Sequence, residues 1–256
     1  MTDTPLALVT GATSGIGLEL AREHARRGGD LLLVARRGEV LEAVASDLRA
    51  AHGVAVEVIA VDLGTFEGVE AVRAAAQGRP VGVLMNNAGF GGRGRFVERP
   101  LEEDLAMIDL NVKALAALCH HVGGAMAGRG GGRILNVGST AALMPGPLQA
   151  TYFATKAFVR SFSFALAEEL RPRGVTVTVL SPGYVETGFA ARADLDGTPL
   201  ARRGRTAPSV ARVGYDAMAA GRLEAINEPG LRAAARIVSL LPRRAMLRAV
   251  RRMQEK

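Results

Sequence analysis

Apolar residues in this chain gather in short, nearly continuous runs: Leu6–Thr10, Leu31–Ala35, Val54–Val61, Val81–Asn86, Arg133–Val137 and Val175–Leu180. Their length and β-branched content predict strands, and the lack of polar alternation predicts strands covered on both faces. Between the runs lie helix-length segments. Strand and helix in alternation argue for right-handed βαβ units around one parallel sheet. With 256 residues, 48% hydrophobic and 22% charged, the chain can bury a sizeable core as a single domain spanning 1–256. No internal repeat interrupts it. The glycine clusters Gly91-Gly92-Arg93-Gly94-Arg95 and Gly128-Arg129-Gly130-Gly131-Gly132 read as loops between elements rather than domain linkers.

The first run enters Gly11-Ala12-Thr13-Ser14-Gly15-Ile16-Gly17, and a helical pattern follows at once. Glycines placed between a strand and a helix let the backbone turn tightly and approach a ligand. The positive end of the helix then faces a pyrophosphate. The spacing is Gly-x-x-x-Gly-x-Gly, and no Gly-Lys-Ser/Thr follows, so this is not a Walker loop. Taken alone, the segment is either a dinucleotide cradle or an ordinary strand-to-helix turn.

Tyr152-Phe153-Ala154-Thr155-Lys156 sets a phenol and an ammonium one helical turn apart on the same face. A free phenol titrates near pH ~10, so acid–base work near neutrality needs its charged form favoured by about 4 kcal/mol, and a neighbouring cation acts in that direction. The bland alternative is a solvated helix face.

Other short motifs accompany this pair in order: Asp62-Leu63, Asn86-Asn87-Ala88-Gly89, Asn111, Ser139 after Gly138, and Ser181-Pro182-Gly183 with Thr187. On these residues the chain resembles the short-chain dehydrogenases/reductases from about Leu6 to Thr187. The resemblance implies a Rossmann-like, doubly wound parallel β-sheet flanked by helices. It also implies hydride transfer between a nicotinamide and a carbon bearing oxygen. Tyr152 would carry the proton, and Ser139 would hydrogen-bond the substrate oxygen. Lys156 would lower the Tyr152 pKa and hold the nicotinamide ribose, and Asn111 would anchor a water leading from Lys156. Gly11, Thr13, Ser14, Gly15, Ile16, Gly17 and Leu63 would line the cofactor, Asp62 would meet its adenine, and Asn87, Ala88 and Gly89 its ribose side. Pro182, Gly183, Val185 and Thr187 complete the expected cofactor set.

Ala35-Arg36-Arg37 follows the second strand with no acidic residue for a ribose 2′-hydroxyl, and arginine there suits a 2′-phosphate. NADP(H) is therefore expected over NAD(H), the alternative being that Arg36 and Arg37 are solvated residues opening a helix. Phe90, Leu143, Met144, Pro145, Tyr184 and Phe189 suggest walls for a hydrophobic ketone, oxoacyl compound or matching secondary alcohol, although they could equally be core. The Arg-, Asp- and Gly-rich segment Ala190–Arg205 fits a mobile lid, within a lid region taken as 188–221. Two rival classes stand beside the enzyme: a silent NADP(H)-binding sensor, and a scaffold or membrane-surface protein using the C-terminal end.

That end carries the basicity. Of a formal net charge of +7, residues 202–256 hold 13 Lys and Arg against 4 Asp and Glu. From Arg243 onward, Met246, Ala249, Val250 and Met253 share one helical face, opposite Arg244, Arg248, Arg251 and Arg252. A basic amphipathic helix within 231–256 is expected, either docked on its own core or touching an anionic membrane surface. Nucleic acid is not expected, since Trp is absent and aromatics are 4%. Cys119 is the only cysteine, excluding an internal disulfide and fitting a reducing, cytoplasmic compartment. His24, His52, His120 and His121 lack metal-ligand spacing and are expected on helix surfaces, so no metal is predicted. Residues 1–10 lack a basic start and no stretch approaches a membrane span, so neither secretory signal nor anchor is expected. The resemblance further implies a homodimer or homotetramer through helices around Leu101–Met126 and Tyr152–Leu170, where Phe158, Phe162 and Leu166 form an apolar stripe.

Overall fold

Strands β1 (Leu6–Thr10), β2 (Leu31–Ala35), β3 (Val56–Ala60), β4 (Val81–Asn86), β5 (Gly132–Val137) and β6 (Val175–Leu180) form a parallel sheet with the short β9 (Glu224–Ala225). Its order is β3-β2-β1-β4-β5-β6-β9. The structure is a computed structural model that describes residues 4–199, 204–228, 230 and 242–256. A second pairing, between β7 (Val185–Glu186) and β8 (Arg205–Thr206), lies beyond the sheet and is also parallel.

Alternation along each strand explains why the runs are apolar throughout. Ala7 and Val9 of β1, with Leu31 and Leu33 of β2, face α1 (Gly15–Arg26), α2 (Gly38–His52) and α8 (Ala207–Ala219). Leu8, Leu32 and Val34 face the other way, toward α3 (Phe66–Ala76), α5 (Leu115–Gly128) and α6 (Ala150–Leu170). Both faces are covered, so neither set tolerates a polar residue. Leu8, Leu33 and Leu84 are fully buried, each contributing about 1.5–3 kcal/mol over an exposed side chain. The chain is thus doubly wound, and strand order reverses between β1 and β4. At such a switch point the two following loops diverge and leave a crevice at the carboxyl ends of the strands.

Helix α4 (Leu101–Ile108) runs without a break through a wide π-helical turn, Asp109–Ala114, into α5. This corrects the expectation that no stretch is apolar enough for a membrane span: Leu101–Gly128 is long and apolar enough by composition. Its apolar residues have a use in the fold, since Leu115, Leu118, Val122 and Met126 pack against the sheet.

The stretch 188–221, expected as one lid, divides here. Residues 207–219 are α8, a core helix whose Val210, Ala211 and Met218 pack on the sheet, whereas α7 (Phe189–Arg192) and its flanks lie over the crevice. Residues 200–203 of that stretch lie outside the described residues. His24 is also corrected. It is fully buried between the Pro5 carbonyl and the Tyr215 hydroxyl, both at 2.9 Å from its ring nitrogens. Burial pushes its pKa down to about 4, so the ring is neutral at pH 7.

Candidate active site

The loop from β1 into α1 has the backbone a tight approach requires. Gly11 and Gly15 adopt left-handed φ values of +68° and +57°, where a side chain would be strained. A Cβ on Gly11 would lie 2.7 Å from Asn87 Nδ2, and one on Gly17 would collide with that amide and with the Gly11 carbonyl. Asn87 explains the crowding: its Nδ2 donates to the Thr10 carbonyl at 3.0 Å. The main-chain amides of Asn87 and Ala88 both donate to Thr10 Oγ1, at 2.9 and 3.0 Å. Thr10, which sequence reasoning passed over as a strand residue, therefore ties the two loops together at the switch point. Asn87 braces the cradle with the side chain expected to face ribose.

Helix α1 opens without a side-chain cap from Ser14 and without an acidic residue in its first turn, leaving its end suited to an anion. A Cβ on Gly15 would lie 3.2 Å from Thr187 Cγ2, so the loop after β6 closes on the same spot. Pro182 and Gly183 of that loop are held by Thr140 N and Asn227 Oδ1 at 2.9 and 3.2 Å. Thr187 Oγ1 faces the carbonyl of Val185 at 3.5 Å and accepts from Phe189 N. Ile16 and Leu63 are turned toward the core, and Thr13 Oγ1 accepts from Arg37 at 3.0 Å. Arg36 sits 3.7 Å from Asp62, whose other oxygen accepts from Gly64 N. Arg192 stacks over the Phe90 ring at 4.4 Å. Its pKa is lowered by burial and then by the charge of Arg36, and Arg37, bonded to Thr13, adds a further cation to this loop. These close-approach glycines, the open helix end and the cationic rim fit a phosphorylated dinucleotide.

Tyr152 and Lys156 are not on a solvated face. They are 8% and 6% exposed, on the side of α6 that closes the crevice. Ser139 caps the turn Thr140–Leu143, its Oγ accepting from Ala141 N at 3.1 Å, and its side chain acts on the Tyr152 phenol in the direction that lowers the phenol's pKa. Lys156 Nζ donates to the Val137 carbonyl at 2.9 Å and lies 5.9 Å from the Tyr152 ring centroid. A Cβ on Gly89 would be 2.8 Å from Asn111 Oδ1 and 3.7 Å from Lys156 Nζ, so Lys156, Asn111 and the loop after β4 meet.

The expected lowering of the phenol is reversed. Burial pushes Tyr152 up to about 12, Ser139 opposing it only partly, and burial pushes Lys156 down to about 8. Desolvation of both charged forms outweighs an ammonium whose hydrogen bond goes to Val137 rather than to the phenol. Asn111 braces the site through its side chain. In the wide turn of its helix, its amide donates to the Phe90 carbonyl and to Thr155 Oγ1 at 2.9 and 3.1 Å and accepts from Phe90 N at 3.1 Å. Thr155 Oγ1 donates in turn to the Tyr152 carbonyl at 2.7 Å. The side chain thus locks the loop after β4 onto α6 and positions the Tyr152 helix.

Of the expected walls, Phe90, Met144 and Phe189 gather around Tyr152, with Phe189 at 5.4 Å between ring centroids. Tyr184 packs one layer out, with Ala190, Ala193 and Leu195, Leu143 is half-buried, and Pro145 is exposed. Met107, Phe153 and, from the C-terminal helix α9 (Arg243–Gln254), Met246, Leu247 and Val250 pack in the same cluster. Helix α9 is docked on the core, with its arginines exposed. It buries Met246, Val250 and Gln254, whereas Ala249 and Met253 of the expected apolar face point outward. Residues 231–241 of the expected tail segment lie outside the described residues. No cluster of three or more metal-ligating side chains occurs among the described residues.

Residues 5–196 match the family model for short chain dehydrogenases. The chain is 38% identical over 186 residues to a very-long-chain 3-oxoacyl-CoA reductase of Anas platyrhynchos, covering 71% of this chain and 60% of that relative's length. It is 40% identical over 193 residues to a putative ketoacyl reductase of Streptomyces coelicolor, covering 74% of each. The chain thus spans about three fifths of the length of the first of these relatives. Its structure superposes on a short-chain dehydrogenase from Sphingobium yanoikuyae in complex with NADPH with a TM-score of 0.85, at 33% identity and 98% coverage of both chains. A short-chain dehydrogenase/reductase from Burkholderia phymatum in complex with NAD gives 0.83 at 26% identity, covering 100% of this chain and 99% of that one. With its doubly wound sheet, the glycine cradle at the switch point, and Ser139, Tyr152 and Lys156 beside it, the chain belongs to the short-chain dehydrogenase/reductase family, oxidoreductases of carbonyl and hydroxyl groups.

Proposed function

We propose that this protein is an NADP(H)-dependent reductase of hydrophobic ketones, with oxoacyl compounds as the preferred class. The observation that carries the reading is the buried phenol of Tyr152, acted on by Ser139 and packed among Phe90, Met144, Phe189, Met246 and Val250. The ketoacyl and 3-oxoacyl-CoA reductases among its relatives support the substrate class. The bound dinucleotide would supply the hydride, and the protein supplies position and a proton. A phenol at about 12 stays protonated at physiological pH, which suits an acid. Tyr152 gives its proton to the oxygen on which charge develops, while Ser139 Oγ donates a hydrogen bond to the same oxygen. The Lys156 ammonium favours the phenolate left behind. Gly11 to Gly17, with Thr187 and the loop after β4, would hold the dinucleotide. A silent sensor would need none of these reacting side chains together. A scaffold acting through the basic tail would want the apolar face of α9 free, and Met246 and Val250 of that face are buried. Cys119, buried and pushed up to about 12, is an inert thiol that suits a reducing, cytoplasmic setting.

Cofactor choice rests on Arg36 and Arg37. Oxidation of NADPH and NADH with a panel of long-chain ketones and 3-oxoacyl thioesters, followed at the reduced-nicotinamide absorbance, is expected to favour NADPH. Arg36→Ala should weaken NADPH binding about 10- to 100-fold, the value of a charge-assisted phosphate contact, and leave NADH nearly unchanged. Equal affinity for both cofactors would sink the preference.

The same reading places a second copy of the chain on the α4–α6 face. Phe96, Leu101, Leu105 and Phe158 are exposed there. A groove of about 470 Å³ beside them is lined by Ile108, Val112 and Ala154. Phe158 stacks on Phe162 at 5.4 Å, but Phe162 and Leu166 also pack on the core, so the stripe is shared between core and surface. Light scattering should give a dimer or tetramer, and Leu105→Glu should shift it to monomer. A monomeric native protein at micromolar concentration would reject the assembly.

A further inference from the structure

Arg192 closes α7, the single helical turn over the crevice, and its neighbours fix where that turn sits. Phe189 packs against the Tyr152 ring at 5.4 Å between centroids. A Cβ on Gly91 would lie 2.8 Å from Phe189 Cζ and 3.5 Å from Ala193 Cβ. Asp194 holds a left-handed φ of +55° and pairs with both Arg93 and Lys256. Arg192, by contrast, is exposed, and its guanidinium has no hydrogen bond or ion pair among the described residues. It stacks over the Phe90 ring at 4.4 Å. Asn111 holds Phe90 through both main-chain groups, next to Gly89 and the Lys156 ammonium. The charges of Arg36, after β2, and Asp62, after β3, act on the same guanidinium. Arg192 therefore stands between the adenine end of the crevice and the end at Tyr152.

A guanidinium stacked on a ring keeps its N–H edges free, and those edges match the oxygens of a phosphate. Two guanidinium groups here face one carboxylate, Asp62, which lies 3.7 Å from Arg36, so positive charge remains that an anion would offset. We propose that Arg192 reaches from the lid to the bound dinucleotide and pairs with its pyrophosphate, so that the cofactor holds α7, and with it Phe189, over Tyr152. The pyrophosphate rather than the 2′-phosphate follows from position. Arg36 and Asp62 mark the end for adenine and 2′-phosphate, Tyr152 and Lys156 mark the end for nicotinamide, and the pyrophosphate joins the two. Thr187, which leads into α7, meets Gly15 between them, at the open end of α1. This inference rests on the dinucleotide reading above and adds to it a residue outside the sequence motifs.

The test is a calorimetric titration of the full chain with NADPH and with NADH. Arg192→Met, which keeps an apolar stem over Phe90, is expected to weaken both by about tenfold or more and by the same factor, the value of one charge-assisted contact. Arg36→Ala should weaken NADPH alone, and Arg192→Lys should recover most of the loss by retaining the charge. At saturating NADPH the Met variant should show a raised ketone KM, because Phe189 is no longer held, with kcat changed less. The melting temperature of the free protein should not move, since Arg192 is exposed. A loss confined to NADPH would place Arg192 on the 2′-phosphate and overturn the pyrophosphate assignment. Unchanged affinity for both cofactors overturns the contact altogether while leaving the reductase reading intact. A native protein that binds neither cofactor removes the reductase reading, and this inference with it.

Discussion

Tyr152→Phe is expected to reduce ketone turnover by about three orders of magnitude, within the range that a positioned acid contributes, while NADPH affinity stays within about twofold. The substitution removes one hydroxyl and keeps the ring that packs against Phe153 and Phe189, so folding should be affected little. Rates measured at saturating NADPH, beside a fluorescence titration of the cofactor, separate the two effects. A variant that kept most of its activity would remove Tyr152 from the mechanism and revive the sensor.

Replacing Lys156 should affect cofactor binding as well as rate, because its ammonium lies between the phenol and the loop at Gly89 that would border the ribose. Lys156→Met is expected to weaken NADPH binding and to slow reduction by about 10²-fold or more. The diagnostic is pH. With its pKa down at about 8, Lys156 is charged below that value and neutral above it. Native reduction should therefore fall as pH rises through about 8, and the variant should lack that descending limb. The same depressed value means that the unfolded chain binds a proton between about 8 and the ordinary lysine value while the folded chain does not. The group therefore costs stability below this window, and the cost is relieved as pH rises through it. A native profile flat from pH 7 to 9.5 would show that the Lys156 charge is not linked to the proton transfer. Alcohol oxidation, which needs the phenolate, should rise only at alkaline pH, since burial holds the phenol near 12.

The sheet was legible in the sequence because a buried parallel strand has a local signature. Leu31–Ala35, Val81–Asn86 and Val175–Leu180 stand in the structure as their apolar runs predicted, since both faces of each must be hydrophobic. The glycine cradle was legible for a similar reason: positive φ and close approach exclude every other residue at Gly11. Helix spacing alone placed Tyr152 and Lys156 on one face. What those side chains experience there, however, depends on Phe189, Val137 and Ser139, which come from other elements, so the direction of the phenol's pKa could not be read along the chain.

The sequence by itself determined the βαβ order, the cradle and the reacting pair, because each is written in residues close enough to act on one another through the local backbone. Tertiary structure alone decided the rest. It buried His24 against Tyr215, turned residues 207–219 from lid into core helix, gave Thr10 the work of tying two loops across the switch point, and had Asn111 lock the loop after β4 onto α6. It also rotated the C-terminal helix so that Gln254, rather than Met253, is buried. The periodicity of a short helix leaves several orientations nearly equal in apolar burial, and only the surface it docks on selects among them.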